Sequence, residues 1–189
     1  SKKAIQALIV APSQELAMQI VEVIREWTAG SDITVQQLIG GANSARQIEK
    51  LKKKPTIVVG TPGRLNELMR SGKLKLKDVE TIVLDECDQL LSREYRVIVK
   101  SFIDASAYGR QIVVVSATIT EEIELVAARM MFEPVRIKIT PDDIEQEGGK
   151  VVHSFIKVDE RDKTDLLRRL ANMEGVQGLA FVNNIDQVL

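Results

Sequence analysis

Three carboxylates, Asp85, Glu86 and Asp88 around Cys87, close the apolar run Thr81-Ile82-Val83-Leu84. A run this rich in β-branched residues reads as a buried strand that delivers acids to its carboxyl end. In an open α/β sheet, ligands sit outside the carboxyl ends of the strands. Acids placed there suit a hard cation such as Mg²⁺, which takes one or two carboxylates together with phosphate oxygens and waters. The plainer alternative is a strand ending in solvated acids that cap the next helix.

A second apolar run, Gln111-Ile112-Val113-Val114-Val115, ends in Ser116-Ala117-Thr118. The hydroxyls of Ser116 and Thr118 can donate to the acids of the first strand, unless Thr118 or Thr120 simply N-caps the following helix. The same strand-to-turn pattern recurs at Leu8-Ile9-Val10-Ala11-Pro12-Ser13-Gln14-Glu15-Leu16-Ala17 and at Thr56-Ile57-Val58-Val59-Gly60-Thr61-Pro62-Gly63-Arg64. Helix N-terminal amides and small hydroxyls donate to phosphate oxygens, and Arg64 adds a charge. Gly40-Gly41 follows the β-rich run Thr34 to Ile39 and would let a ligand backbone approach closely. Taken singly, Pro62 is a helix N1 proline and Gly40-Gly41 a plain turn.

In this order the segments resemble the DEAD-box RNA helicases of superfamily 2, and the resemblance runs over essentially the whole chain. Residues 12–17 look like motif Ia, Gly40-Gly41 like the GG element, Thr61-Pro62-Gly63-Arg64 like motif Ib, and Asp85-Glu86-Cys87-Asp88 like the namesake motif with Cys in place of Ala. Ser116-Ala117-Thr118 resembles motif III, and Leu179-Ala180-Phe181-Val182-Asn183 resembles motif IV. Several short motifs in the right order supply the context that one match lacks. The resemblance implies a doubly wound, mostly parallel RecA-like α/β sheet flanked by helices, then a linker and the start of a second RecA-like domain. It implies ATP and Mg²⁺ as cofactors and RNA as partner. Asp85 would hold the Mg²⁺, Glu86 would orient the attacking water, and Asp88 would link to Ser116 or Thr118. RNA would lie against Pro12, Ser13, Gln14, Gly40, Gly41, Thr61, Pro62, Gly63 and Arg64, gripped by its sugar-phosphate backbone with little sequence preference.

The chain also departs from the family pattern. Ser13 and Gln14 stand where motif Ia carries Thr and Arg, and Gln89 stands where an Arg commonly follows the namesake motif. No G-x-x-x-x-G-K-[ST] phosphate loop occurs in the sequence, and the arginine-bearing motifs V and VI would lie beyond Leu189. The expected reading is a fragment from motif Ia to motif IV, with Ile112 to Val115 left as an open apolar edge prone to pair with another chain. Two rivals remain: a degenerate helicase acting as a non-catalytic RNA-binding scaffold, and a nucleotide-independent Rossmann-like domain. An intact Asp85-Glu86 pair argues against the first, and motifs III and Ib at strand ends argue against the second.

Composition fits a folded domain, with 44% hydrophobic and 28% charged residues. Aromatic residues make up only 4%, which speaks against a recognition surface built on base stacking. The net charge is −1, so RNA affinity must be local. The clusters Lys50, Lys52, Lys53, Lys54 and Lys73, Lys75, Lys77 read as solvated faces. One cysteine excludes a disulfide framework and suits a reducing compartment, hence an expected cytoplasmic location. His153, the only histidine, has no Cys or His companions in sequence for a metal site. A monomer without membrane contacts, open to accessory proteins, is expected.

Apolar spacing predicts helices at Glu15 to Trp27, Ser44 to Leu51, Leu65 to Arg70, Glu94 to Ala105, Glu121 to Met131 and Lys163 to Met173, with Ser44 and Gln47 as a capping box and Trp27 in the core. Strands are predicted at Val135 to Ile139, Val151 to Val158 and Leu179 to Asn183. Domain limits follow: a first domain over 1–139, a polar linker over 140–150, and the beginning of a second over 151–189. Because nothing in this sequence cradles phosphates, the 189-residue polypeptide alone is expected not to hydrolyse ATP. A coupled phosphate-release assay checks this, and RNA-stimulated turnover would overturn it.

Overall fold

Short runs of four or five residues, apolar but for a pair of glutamines in the second and polar residues at the ends of the last two, alternate with longer amphipathic segments and form the five strands of one parallel sheet. The structure is a computed structural model that describes residues 4–41, 44–138, 152 and 154–181. In chain order it contains β1 (Ala7–Val10), α1 (Gln14–Trp27), β2 (Val35–Leu38), α2 (Ser44–Leu51), β3 (Ile57–Gly60), α3 (Pro62–Arg70) and β4 (Thr81–Asp85). Then follow α4 (Cys87–Leu90), α5 (Arg96–Ala105), β5 (Gln111–Val115) and α6 (Glu121–Ala128). A 3₁₀ turn at Glu160–Asp162 leads into α7 (Lys163–Ala171). The chain divides into two units, residues 1–136 and 137–189.

The strand order is β2-β3-β1-β4-β5, and every pair is parallel. Alternate side chains of β1 serve two cores. Leu8 and Val10 join the larger cluster with Leu38, Val58, Ile82, Leu84, Leu65, Leu68 and Phe102, which α2 to α6 cover. Ile9 packs against the smaller cluster of Ala11, Ala17, Val21, Ile39 and Val59, which α1 covers. Helices on both faces bury the sheet, as parallel strands require. Outermost on one side lies β5, bonded only to β4, with Val115 half exposed, so the expected open apolar edge is present among the described residues.

Several local expectations are corrected. Trp27 is 80% exposed rather than in the core. A 14-residue helix reaches about 21 Å, whereas four-residue strands reach about 13 Å. Ile24 in the last turn of α1 still packs on the smaller core, so the overhang falls on the final residue, Trp27, which stays exposed. Ser44 and Gln47 form no capping box: Gln47 is buried and its Nε2 donates to the Ile39 carbonyl at 3.0 Å. Helix α3 begins at Pro62, three residues ahead of the predicted Leu65, because proline fits the first helical turn. Residues 135–138 are not in a strand, and Val135 and Ile137 are exposed. The described parts of 151–158 and 179–183 are likewise not strand, while Ile139, His153 and the predicted linker 140–150 lie outside the described residues. β-branched composition supplies propensity, but a strand forms only with a neighbour to take its backbone hydrogen bonds.

The end of β3 leaves no room for a side chain at Gly60. A Cβ at Gly60 would stand 2.4 Å from the Leu38 carbonyl oxygen and 3.0 Å from the Leu65 side chain. Gly60→Ala is expected to destabilise the protein by about 1–3 kcal/mol, because backbone cannot yield as a flexible side chain does. Chemical denaturation compares the two; an unchanged midpoint would contradict the close approach.

Candidate functional site

Strand β4 delivers Asp85 to its end, and the chain then turns sharply. Glu86 sits in the left-handed region, at φ 50 and ψ 53, as the N-cap of α4. A non-glycine residue there is strained and needs surrounding structure to hold it. Two contacts do so: the Glu86 N–H donates to Asp85 Oδ1 at 2.9 Å, and Gln89 Nε2 donates to Glu86 Oε2 at 2.9 Å. Sequence reasoning missed the Gln89 contact, although its place three residues after Glu86 is the i,i+3 signal that could have revealed it.

Asp88 reaches across to the neighbouring strand end. Ser116 Oγ donates to Asp88 Oδ1 at 2.8 Å, and Thr118 Oγ1 donates to Asp88 Oδ2 at 3.2 Å. The Ser116 hydrogen bond, and after it that of Thr118, holds the Asp88 carboxyl below its ordinary pKa range against the opposing effect of burial. Thr120, not Thr118, N-caps α6, accepting from the Ile123 N–H at 3.4 Å, so Thr118 keeps its hydroxyl for Asp88. Cys87 is fully buried, and burial pushes its thiol pKa up, reinforced by the Asp88 charge, which fits a small hydrophobe.

The ends of β1, β2 and β3 open on a cleft of about 430 Å³ lined by Pro12, Gln14, Gly40, Thr61, Pro62, Gly63, Arg64, Glu67 and Tyr95. Seven of these were predicted from sequence; Glu67 and Tyr95 were not. Glu67 carried a legible signal as the i,i+3 partner of Arg64, whereas Tyr95 is distant in sequence and carried none. Gly41 adopts φ +69, and open space surrounds the positions a Cβ would take at Gly41 and Gly63, so a ligand can approach the backbone there. Ser13 does not line the cleft: its hydroxyl accepts from the Leu16 N–H at 3.2 Å as the N-cap of α1.

Arg64 departs most from expectation. It is 7% exposed, and its guanidinium donates to Gln47 Oε1 at 3.3 Å, to both Glu67 oxygens at 2.6 Å and to Ser44 Oγ at 2.7 Å. Its planar fork is therefore engaged in bracing α2 against α3, and Glu67 offsets much of its charge. Arg64 forms a wall of the cleft rather than a free cation reaching for phosphate.

An all-parallel sheet with an acid cluster and a polar cleft at its strand ends defines a doubly wound α/β protein. The chain belongs to the DEAD/DEAH box helicase family, whose model matches residues 1–126. It is 47% identical over 183 residues to a probable ATP-dependent RNA helicase, YfmL, of Bacillus subtilis, covering 97% of this chain and 48% of that protein. The crystal structure of a DEAD box protein from Methanococcus jannaschii matches with TM-score 0.70 at 30% identity, over 91% of this chain and 46% of that one. A Dbp5 variant of S. cerevisiae bound to RNA and ADP BeF3 matches with TM-score 0.62 at 27% identity, over 75% of this chain and 36% of that one. The chain thus spans about half the length of the curated relatives it matches.

The depressed pKa of Asp88 makes part of the stability acid-sensitive. A carboxylate whose folded pKa lies below its unfolded value, about 3.9, stabilises above that value and loses its contribution as pH falls through the folded pKa. Asp88→Asn is expected to be less stable at neutral pH and to lose less stability than the wild type on acidification below about pH 4. Thermal melts across that range check it; parallel curves would contradict the role given to Asp88.

Proposed function

We propose that this chain is part of an ATP-dependent RNA helicase, in which it binds RNA by the sugar-phosphate backbone and couples ATP hydrolysis to local unwinding or remodelling. The observation that carries this reading is the tie between the acid cluster and motif III: Asp88, two residues from Glu86, holds the hydroxyls of Ser116 and Thr118. Phosphoryl transfer depends mostly on positioning and charge neutralisation, which is what such an arrangement offers. Membership in the DEAD/DEAH box family and the likeness to YfmL, described as a probable ATP-dependent RNA helicase, support it. So does the likeness to the Dbp5 structure bound to RNA and ADP BeF3.

In this reading Asp85 would hold Mg²⁺. Its Oδ1 accepts only one backbone N–H, and a carboxylate has lone pairs for more. An ion bound by a single carboxylate, waters and substrate phosphates is the usual way Mg²⁺ is held at a nucleotide. When bound, Mg²⁺ neutralises phosphate charge. Glu86, steadied by Gln89, would accept a hydrogen bond from the attacking water and so aim that water's lone pair along the line of attack. Asp88 couples movement of that turn to the Ser116–Thr118 segment. Gln14, Gly40, Thr61, Pro62 and Gly63 give the RNA backbone a cleft of uncharged donors and bare backbone. Contacts of that kind position a strand without reading its bases. Residues 151–189 begin the second RecA-like domain in this reading.

The test is RNA-stimulated ATP hydrolysis by the full-length protein, wild type beside Glu86→Gln. A loss of ~10²-fold or more in turnover with RNA affinity kept is expected for a positioned acid or base. A wild type that binds RNA but never turns over ATP would instead favour the non-catalytic scaffold.

A further inference from the structure

Gln47 lies buried on α2, and chemistry fixes which way its amide faces. Arg64 Nε can only donate, so the Gln47 atom 3.3 Å from it is Oε1, which leaves Nε2 to donate to the Ile39 carbonyl at 3.0 Å. Arg64 is itself held, since Glu67 takes one of its terminal nitrogens and Ser44 Oγ the other. This chain of side chains ends at a single backbone carbonyl.

That carbonyl belongs to the peptide plane that joins Ile39 to Gly40. The plane is rigid and trans, so its C=O and N–H point in opposite directions, and fixing the Ile39 carbonyl fixes the Gly40 N–H. The alternation along β2 decides where that N–H goes. The Ile57 N–H donates to the Thr34 carbonyl at 2.9 Å and the Thr61 N–H to the Leu38 carbonyl at 3.2 Å, so every second residue here turns its backbone groups toward β3. Ile39 therefore faces away from β3, where Gln47 meets it, and Gly40 faces toward it. At the level of Gly40 the neighbouring strand has ended, because Thr61 already N-caps α3. The Gly40 N–H has no acceptor among the described residues. It opens into the strand-end cleft, which Gly40 lines together with Gln14, Thr61, Pro62 and Gly63. Gln14 Nε2 lies 3.5 Å from the place a Gly40 Cβ would take, so a second donor stands beside the first.

We infer that Gln47 is a positioning residue for RNA: through the Ile39 carbonyl it aims the Gly40 N–H into the strand-end cleft, where that N–H donates to a phosphate oxygen of the strand. Backbone amides are regular phosphate donors. The inference rests on the RNA reading proposed above and adds to it a side chain that is not among those lining the cleft. Arg64 takes an indirect part as well, since its Nε holds the Gln47 amide in the donating orientation.

The test uses the full-length protein. Gln47→Glu keeps an oxygen for Arg64 and puts a second oxygen where Nε2 donated, so it breaks the Ile39 tie and spares the other. Phe102→Leu, a core variant at a position that does not line the cleft, controls for a general loss of stability, with melting temperatures comparing the two. Oligouridylate affinity is measured by titration, and ATP turnover at saturating RNA is measured beside it. Gln47→Glu is expected to weaken RNA binding about tenfold, the scale of one hydrogen bond to a charged group, with kcat kept, while Phe102→Leu changes neither. In wild type carrying isotope-labelled glycine, the Gly40 amide proton is expected to move downfield when oligouridylate is added. A Gly40 resonance that stays in place while the wild type binds the RNA overturns the inference, whether or not the Gln47 variant folds. So does a Gln47→Glu affinity equal to that of wild type, a loss that Phe102→Leu matches, or a kcat that falls together with affinity. A wild type that binds no RNA removes the functional reading, and the inference with it.

Discussion

Everything at the functional end of this protein depends on the parallel register of five short strands. Their backbone groups are buried between two helical layers, so each must bond to its neighbour. The pairing sets Val10 level with Gly60 and Leu84, and Asp85 level with Val115. The residues that leave the strands, Ala11, Thr61, Glu86 and Ser116, therefore emerge along one rim although they are far apart in sequence. A slip of one residue would exchange core and outward faces along a whole strand, so the hydrophobic pattern guards the alignment of the site.

On that rim the molecule uses strain and hydrogen bonds in opposition. Glu86 occupies a left-handed backbone conformation that a β-carbon disfavours, and Asp85, Gln89 and the turn of α4 hold it there. Asp88 then extends the same turn to β5 through two hydroxyls. Because β5 bonds to the sheet on one side only, this carboxylate is one of the few ties across its carboxyl end. The turn that carries Glu86 and the segment after β5 are thereby tied over a short path of named atoms.

A second polar network works at the other side of the sheet. Gln47 is buried and uses its amide in both directions, toward the Ile39 carbonyl and toward Arg64. Buried polar groups of this kind are stable only when fully partnered, and a satisfied network fixes one arrangement of the elements it joins. The elements here are β2, α2 and α3. Their relative placement decides the shape of the strand-end cleft.

The strand runs, the helix after each of them and the identities of Asp85, Glu86, Asp88, Ser116, Thr118, Gly40, Thr61 and Gly63 were legible in the sequence, because local periodicity and motif order are properties of neighbours along the chain. Even the Asp88 bridge could be anticipated, since both strand ends carried complementary groups. The positions of Trp27, Arg64, Gln47 and Tyr95 were not legible. Trp27 depends on how far α1 overruns the sheet, Arg64 and Gln47 on the approach of α2 to α3, and Tyr95 on where the chain after α4 returns toward the end of β1. The amphipathic runs after residue 134 promised strands that the described residues do not form, because a strand is defined by its partner and not by its own side chains. Sequence determined which residues could do chemistry; packing between elements decided which of them are free to meet a ligand and which are held by the fold.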